Sequence, residues 1–447
     1  ESPDFYDKEK LDEEMRRIFD VCHGCRRCFN LCDSFPRLFD LVDDSATGEL
    51  DSVDSAAFKP VVDACTLCDM CFINKCPYVP PHPYQIDFPH LMLRYRAVET
   101  KEKGTPFIKN QLVQMDRNAA IASKLAPVVN WGLDEGNGLA RKLITKVVGI
   151  HEKAFIPKFQ KTTFVSHVSK NPVSINKEAP GAGEKVVLYV TCYGNYHQSS
   201  IAEAAYKILK HNGVEVDVVY PGCCGMPLLE QGHVAKVAMF AKNIATAFKP
   251  WIEKGHKVIT LVPSCSIMLK QEWPLLLRQN DDVQRLSHHT VDVCDYLVQL
   301  FKTKGLASGM NSLDDDITLH LACHSRAQNM GAKAAEMLRF IPNIRIDVIE
   351  RCSGHGGSWG MMVDHFETAL KLGKFVFKQV IQNNNGFVAS ECPLAGEHIR
   401  QGVETMAEEK SSRGVEGPDS RPLRAWKHAH PLEILAYAFG LVDLSSQ

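Results

Sequence analysis

Eight of the sixteen cysteines fall in two matched runs. The first is Cys22-x-x-Cys25-x-x-Cys28-x-x-x-Cys32, and the second is Cys65-x-x-Cys68-x-x-Cys71-x-x-x-x-Cys76-Pro77. Three thiolates at three-residue spacing curl round one iron–sulfur cube, while the fourth lies too far along to close the same loop. In chains with two such runs the last cysteine ligates the other cluster. This assigns one [4Fe–4S] cluster to Cys22, Cys25, Cys28 and Cys76, and a second to Cys65, Cys68, Cys71 and Cys32. C-x-x-C also serves zinc, but a zinc site gains nothing from a third closely spaced cysteine. Two irregularities remove no ligand: Asp33 follows Cys32 where proline is usual, and four residues instead of three precede Cys76.

The elements around these runs follow from pattern. Leu11, Met15, Ile18 and Phe19 give residues 7–22 an apolar helical stripe. His23, Arg26 and Arg27 read as solvated loop residues, with tuning of a cluster by positive charge as the alternative. The proline-rich segment 77–84 reads as stiff and extended. Residues 87–125 look helical, with Arg94, Arg96, Lys101 and Lys103 on a solvated face. Residues 119–159, with Leu125, Val128, Trp131, Leu139, Leu143, Val147 and Ile150, are amphipathic. They read as a packed pair of linker helices, or else as a face that docks on a partner or a membrane interface. Residues 160–184 have linker composition and mark the main boundary.

From residue 185 the sequence repeats itself. Strand-like runs at 186–190 and 317–321 lead to Cys192 and Cys323. Helical patterns follow at 198–211 and 327–340, then strands at 214–219 and 344–349. Next come Cys223-Cys224-Gly225 in one copy and Cys352-Ser353-Gly354 in the other. A long helix and a third strand then lead to Cys265 or Cys392. The offsets between matching cysteines are 131, 129 and 127 residues. Strand–helix alternation predicts two α/β lobes with parallel strands, and ligands gather beyond the carboxyl ends of such strands. Cys192, Cys223, Cys224 and Cys265 should therefore converge in lobe one, and Cys323, Cys352 and Cys392 in lobe two. Cys294 has no counterpart and reads as a core residue. The segment 430–442 is expected to be the closing helix of lobe two, matching 292–301 in lobe one.

Residues 223–232 (CCGMPLLEQG), 321–331 (LACHSRAQNMG), 350–360 (ERCSGHGGSWG) and 390–398 (SECPLAGEH) carry a resemblance to the heterodisulfide reductase-related CCG-domain iron–sulfur proteins. That family includes the iron–sulfur subunits of anaerobic glycerol-3-phosphate dehydrogenase, of glycolate oxidase and of lactate-utilisation enzymes. The resemblance covers nearly the whole chain. It implies an α+β multidomain fold: an N-terminal all-helical two-cluster ferredoxin domain (1–118), a helical connector (119–184) and two duplicated α/β CCG lobes (185–316 and 317–447). It also implies electron transfer from a flavoprotein dehydrogenase, of glycerol-3-phosphate or 2-hydroxy-acid type, toward quinone. The alternative is thiol or disulfide redox catalysis at the lobes. The full family motif ends in C-x-x-C, but Met268 and Ala395 occupy those last positions here, and Ser353 replaces the second cysteine of a pair. Lobe one keeps four thiolates, enough for a third cluster. Lobe two keeps three, for a cluster or zinc with His324 or His355 as fourth ligand, or for no metal.

Composition bounds the rest. The chain has 447 residues and a net charge of −2, so nucleic acid is not an expected partner. No run of about 18 apolar residues predicts a spanning helix. The acidic opening ESPDFYDKEK is unlike a secretory leader, and sixteen cysteines without one suggest metal ligation in a reducing cytoplasm. No Rossmann or flavin motif is present, so electrons must come from a flavoprotein subunit or a small redox protein. Any quinone or membrane link would be peripheral, on the inner face of the membrane.

Overall fold

The computed structural model describes residues 3–413 and 425–444; residues 1–2, 414–424 and 445–447, which fall within the first and last expected domains, lie outside it. The chain begins with four helices. Helix α1 (Lys8–Cys25) starts where the Asp7 carboxylate accepts the Lys10 N–H at 3.1 Å. It stops where Arg26 turns left-handed (φ 50°) and donates its N–H to the Cys22 carbonyl. Helices α2 (Ser34–Asp43) and α4 (Phe88–Lys103) pack on it, and α3 (Lys59–Ala64) packs on α2 and α4. The predicted stripe of Leu11, Met15, Ile18 and Phe19 is buried, with the Phe19 ring 5.0 Å from Phe58 and Phe35 4.6 Å from Phe88. Segment 77–84 is not extended. It folds into successive turns, with His82 N–H donating to Val79 O and Gln85 N–H to His82 O, each at 2.9 Å.

Two four-stranded sheets make up the second half, and every pairing in them is parallel. The first contains β1 (Lys185–Tyr189), β2 (Glu215–Val219), β3 (Lys257–Thr260) and β4 (Thr290–Asp292), in the order β2-β1-β3-β4. The second contains β5 (Ile317–His320), β6 (Ile346–Ile349), β7 (Phe387–Ser390) and β8 (Lys427–His428), in the equivalent order β6-β5-β7-β8. The central strands are near-continuous apolar runs, VVLY in β1 and the wholly buried ITLH of β5, as expected where helices cover both faces of a parallel sheet.

The helices that follow the last strands lie between the two units. Helix 293–304, after β4, packs on strands β3 and β4 and on helix 333–338 of the second sheet. Here the Lys302 ammonium meets Glu336 at 2.7 Å, and the Phe301 ring lies 5.2 Å from Phe340. Helix 431–438, after β8, packs on helix 199–211 of the first sheet, where Lys207 donates to Leu441 O at 3.2 Å. It also touches its own unit, through helix 333–338 and through the Tyr437 ring 6.5 Å from Phe387. The closing helix expected for the second unit is thus shared between both units. One apolar core runs through both sheets and includes Leu188, Ile208, Leu297, Leu319, Leu338 and Leu435.

On the predicted solvated face of α4, Lys101 and Lys103 are exposed as expected, but Arg94 and Arg96 are struts. Arg94 donates to the carbonyls of Asp4 and Phe5. Arg96 donates to Val62 O at 2.6 Å, to Cys65 O, and to Glu230 O at 3.0 Å, tying the second cysteine run to the first sheet unit. Gly232 (φ +78°) lies so close to α4 that a Cβ would sit 2.5 Å from the Arg96 carbonyl carbon, so only glycine fits there. Among the described residues, no helix is long and apolar enough to cross a membrane.

Because each closing helix packs against both units, the two sheets should unfold together. Leu435→Ala should cost about 2–5 kcal/mol. Hydrogen exchange followed by mass spectrometry should show protection lost at residues 199–211 and 387–390 alike; loss at only one of them would contradict the shared core.

Candidate metal centre

Cys22 and Cys25 occupy the last turn of α1, and Cys28 follows in the turn beyond Arg26. Cys76, the final cysteine of the second run, comes back to face them. With Phe35, Phe39, Pro77, Tyr78 and Ile86, these four thiols line a cavity of about 310 Å³, counting its open mouth. Burial pushes the Cys22 thiol up, and the neighbouring Cys28, Cys76 and Cys25 add to it. Cys28 is pushed up to about 11 by burial and then by Cys76 and Cys25, against an opposite pull from Lys75 and Arg27. These four groups therefore share one space. An apolar cavity lined by four thiols suits a cube that needs four thiolate ligands and exclusion of water.

The second set is Cys32, Cys65, Cys68 and Cys71. Burial raises Cys32, with Cys65 and Cys68 next in effect. Burial also raises Cys71, followed by Cys68, Cys65, Cys32 and finally Cys28, so the two sets adjoin. Leu67 (φ 49°) and Asp69 (φ 58°) are both left-handed, which is strained for residues with side chains and re-aims Cys68 between them. His23 and Arg26 are not loose loop residues. Both bind the Asp43 carboxylate and hold it down at about 2, and this links the C-terminal ends of α1 and α2.

In the first sheet unit, Cys192 follows β1, Cys223 and Cys224 follow β2, and Cys265 follows β3. Cys192 and Cys223 place their sulfurs 3.8 Å apart, and Cys224 and Cys265 place theirs 3.2 Å apart; all four are free thiols. Supporting groups fix the loop. Gly225 N–H points at the Cys223 sulfur at 3.5 Å, Trp273 Nε1–H donates to Cys224 O at 3.1 Å, and Tyr189 O–H donates to Gly222 O at 2.6 Å. Asp116, from helix 115–124, accepts the Cys223 N–H at 3.1 Å and the Tyr220 hydroxyl. Pattern reading missed Asp116, Tyr189 and Trp273, whose partners are distant backbone groups that leave no periodicity.

In the second sheet unit, Cys323 heads the helix after β5, Cys352 lies exposed after β6, and Cys392 precedes the helix after β7. Gly354 N–H points at the Cys352 sulfur at 3.3 Å. Burial raises Cys323, and the next influences are Cys68, Cys352 and Cys392. Cys68 is raised to about 12 by burial first and by Cys352 second. Cys392 in turn feels Cys265. The four groups of cysteines therefore adjoin in series: first run, second run, second sheet, first sheet. His324 does not fit a ligand role. Its Nδ1 pairs with Ser264 Oγ at 2.8 Å and its Nε2 with Leu67 O at 3.2 Å, so both ring nitrogens are engaged in bracing three parts of the chain. His355 Nε2 has no hydrogen-bond partner, and its ring lies 6.0 Å from that of His398. Cys294 is buried in helix 293–304, as a core residue should be. Among the described residues, no three His, Cys, Asp or Glu side chains draw close enough to hold a single metal ion.

Residues 186–270 match the cysteine-rich domain family, CCG. This span contains Cys192, Cys223, Cys224 and Cys265. The chain is a homologue of one of the subunits of the anaerobic glycerol-3-phosphate dehydrogenase of Escherichia coli, 23% identical over 66% of this chain and 74% of that protein. It is also similar to lactate utilization protein A of Bacillus licheniformis, 27% identical over 42% of this chain and 79% of that protein. One of the subunits of the fumarate reductase (CoM/CoB) of Methanothermobacter marburgensis is 24% identical over 54% of this chain and 46% of that protein. The relatives thus include a subunit of a dehydrogenase, a subunit of a reductase and a lactate utilization protein.

Burial holds several histidines neutral round the second sheet: His320, His398 and His430 at about 4, and His355 at about 3. Their folded values lie below the unfolded value of about 6.5, so their contribution is complete above that pH and is lost as pH falls toward 4. Urea midpoints should fall between pH 6.5 and 4.5. His430→Asn should make that fall shallower while lowering stability at pH 7, through loss of its contact with Glu391 O.

Proposed function

We propose that this chain is the iron–sulfur electron-transfer subunit of an oxidoreductase complex. It passes electrons between a flavoprotein dehydrogenase, of glycerol-3-phosphate or 2-hydroxy-acid type, and quinone or another redox partner. Residues 1–118 form a ferredoxin-like domain and 119–184 a connector, followed by CCG lobes at 185–316 and 317–447. Cys22, Cys25, Cys28 and Cys76 hold one [4Fe–4S] cluster, and Cys65, Cys68, Cys71 and Cys32 hold another. Cys192, Cys223, Cys224 and Cys265 hold a third, and Cys323, Cys352 and Cys392 supply ligands to an iron–sulfur centre in lobe two. When bound, such clusters supply one-electron carriers.

The observation that carries this reading is the cavity in which Cys76 joins Cys22, Cys25 and Cys28 across the chain. The electrostatic influence of each cysteine group on the next supports a single route through the protein. The work of the chain itself is to bury the thiols, exclude water and fix their spacing. Arg96 and Asp116 hold backbone next to Cys65 and Cys223 without touching the route. The relatives include subunits of a dehydrogenase and of a reductase, which supports a partner that carries the substrate chemistry.

Protein purified without oxygen should contain about eight irons in the N-terminal part alone, with matching sulfide. Cys76→Ser and Cys32→Ser should each abolish a different reducible signal in electron paramagnetic resonance, because each residue completes the opposite set. Zinc in place of iron, or loss of the same signal in both variants, would overturn the assignment.

A further inference from the structure

Helices 126–133 and 138–148 form a hairpin whose polarity is reversed. Its most deeply buried side chain is Arg141, 1% exposed, whose guanidinium donates to the carbonyls of Leu133, His151, Glu152 and Ala154. Asn130 and Phe159 exchange two hydrogen bonds of 2.8 Å on the same inner side. The apolar residues point outward: Val128 is 71% exposed, Trp131 69% and Leu139 86%, with Leu125, Leu143 and Val147 also bare. Leu139, Leu143 and Val147 are spaced at i, i+4 and i+8 and form one stripe. The packed pair of linker helices expected from the pattern is therefore incorrect. The amphipathicity is present, but its apolar side was not spent on this chain's core.

The charges round this face select its occupant. Of the two carboxylates of the connecting turn, Asp134 pairs with Lys158 at 2.8 Å, and Glu135 lies 3.8 Å from an Arg400 that also pairs with Glu397 and Glu404. Lys124, Lys142 and Lys146 are exposed, and Lys142 and Lys146 flank the leucine stripe. Apolar residues with a tryptophan, bordered by lysines, match an anionic lipid surface, where the apolar side chains enter the headgroup boundary and the lysines meet phosphate. Helices of 8 and 11 residues are too short to span the roughly 20 residues of a bilayer, so they lie in its plane.

We propose that the 125–148 hairpin docks this protein on an anionic phospholipid bilayer. The proposal extends the peripheral membrane link expected from the sequence, and its test reads lipid partition and not the redox chemistry of the proposed function, so each can fail alone. The full chain, prepared without oxygen, should co-sediment with vesicles containing phosphatidylglycerol and far less with phosphatidylcholine alone. The double change Leu139→Ser/Leu143→Ser should weaken partition by about tenfold or more while leaving circular dichroism and iron content unchanged, since both side chains are already exposed. Lys142→Glu/Lys146→Glu should do the same, and added salt should weaken the wild type. No binding to phosphatidylglycerol vesicles, or equal binding by both variants and wild type, overturns the proposal. So does a concentration-dependent dimer that the leucine variant dissolves without any lipid binding, which would make a second copy the occupant.

Discussion

The structure depends on one arrangement: the last cysteine of each N-terminal run lies with the first three of the other. Cys22, Cys25 and Cys28 line one side of a cavity, and the fourth thiol there belongs to the second run. Cys76 therefore has to return to the end of α1, and Cys32 has to reach the loop that carries Cys68. The four helices make this return possible. Their aromatic core, with Phe19, Phe35, Phe58 and Phe88 in contact, fixes where α1 ends and α4 begins. The segment between them is then forced into turns that carry Cys76 back.

From this arrangement the sheets acquire their placement. Leu67 and Asp69 adopt left-handed backbone that re-aims Cys68, and the second sheet places Cys323 and Cys352 opposite it. Strain of this kind persists only where the surroundings over-determine it. Arg96 bonding to Cys65 O, His324 bonding to Leu67 O and Trp359 Nε1–H donating to Asp63 O at 3.1 Å supply that fixation from three directions. Each uses a buried or half-buried donor on backbone carbonyls, so the loop is held without consuming a thiol.

Much of this was legible in the sequence because it is periodic or repeated. The stripe of α1, the strand positions and the thiols beyond the strand ends follow from spacing alone. What was missed depends on single long-range contacts. Arg94 and Arg96 looked like a solvated face, since nothing local marks an arginine whose acceptors are carbonyls more than thirty residues away. Asp116 was invisible for the same reason. The hairpin at 126–148 misled in the opposite sense: its periodicity was real, but periodicity tells which side is apolar and not what lies against it. The sharing of the closing helices was also hidden, because matching positions in a repeat do not say what else an element touches.

Sharing the closing helices ties the two halves together. Cut away the second unit and helix 293–304 would bare the side that meets helix 333–338; cut away the first and helix 431–438 would bare the side that meets helix 199–211. Differences between the copies, such as Ser353 standing where its counterpart is Cys224, therefore sit in halves that lean on each other.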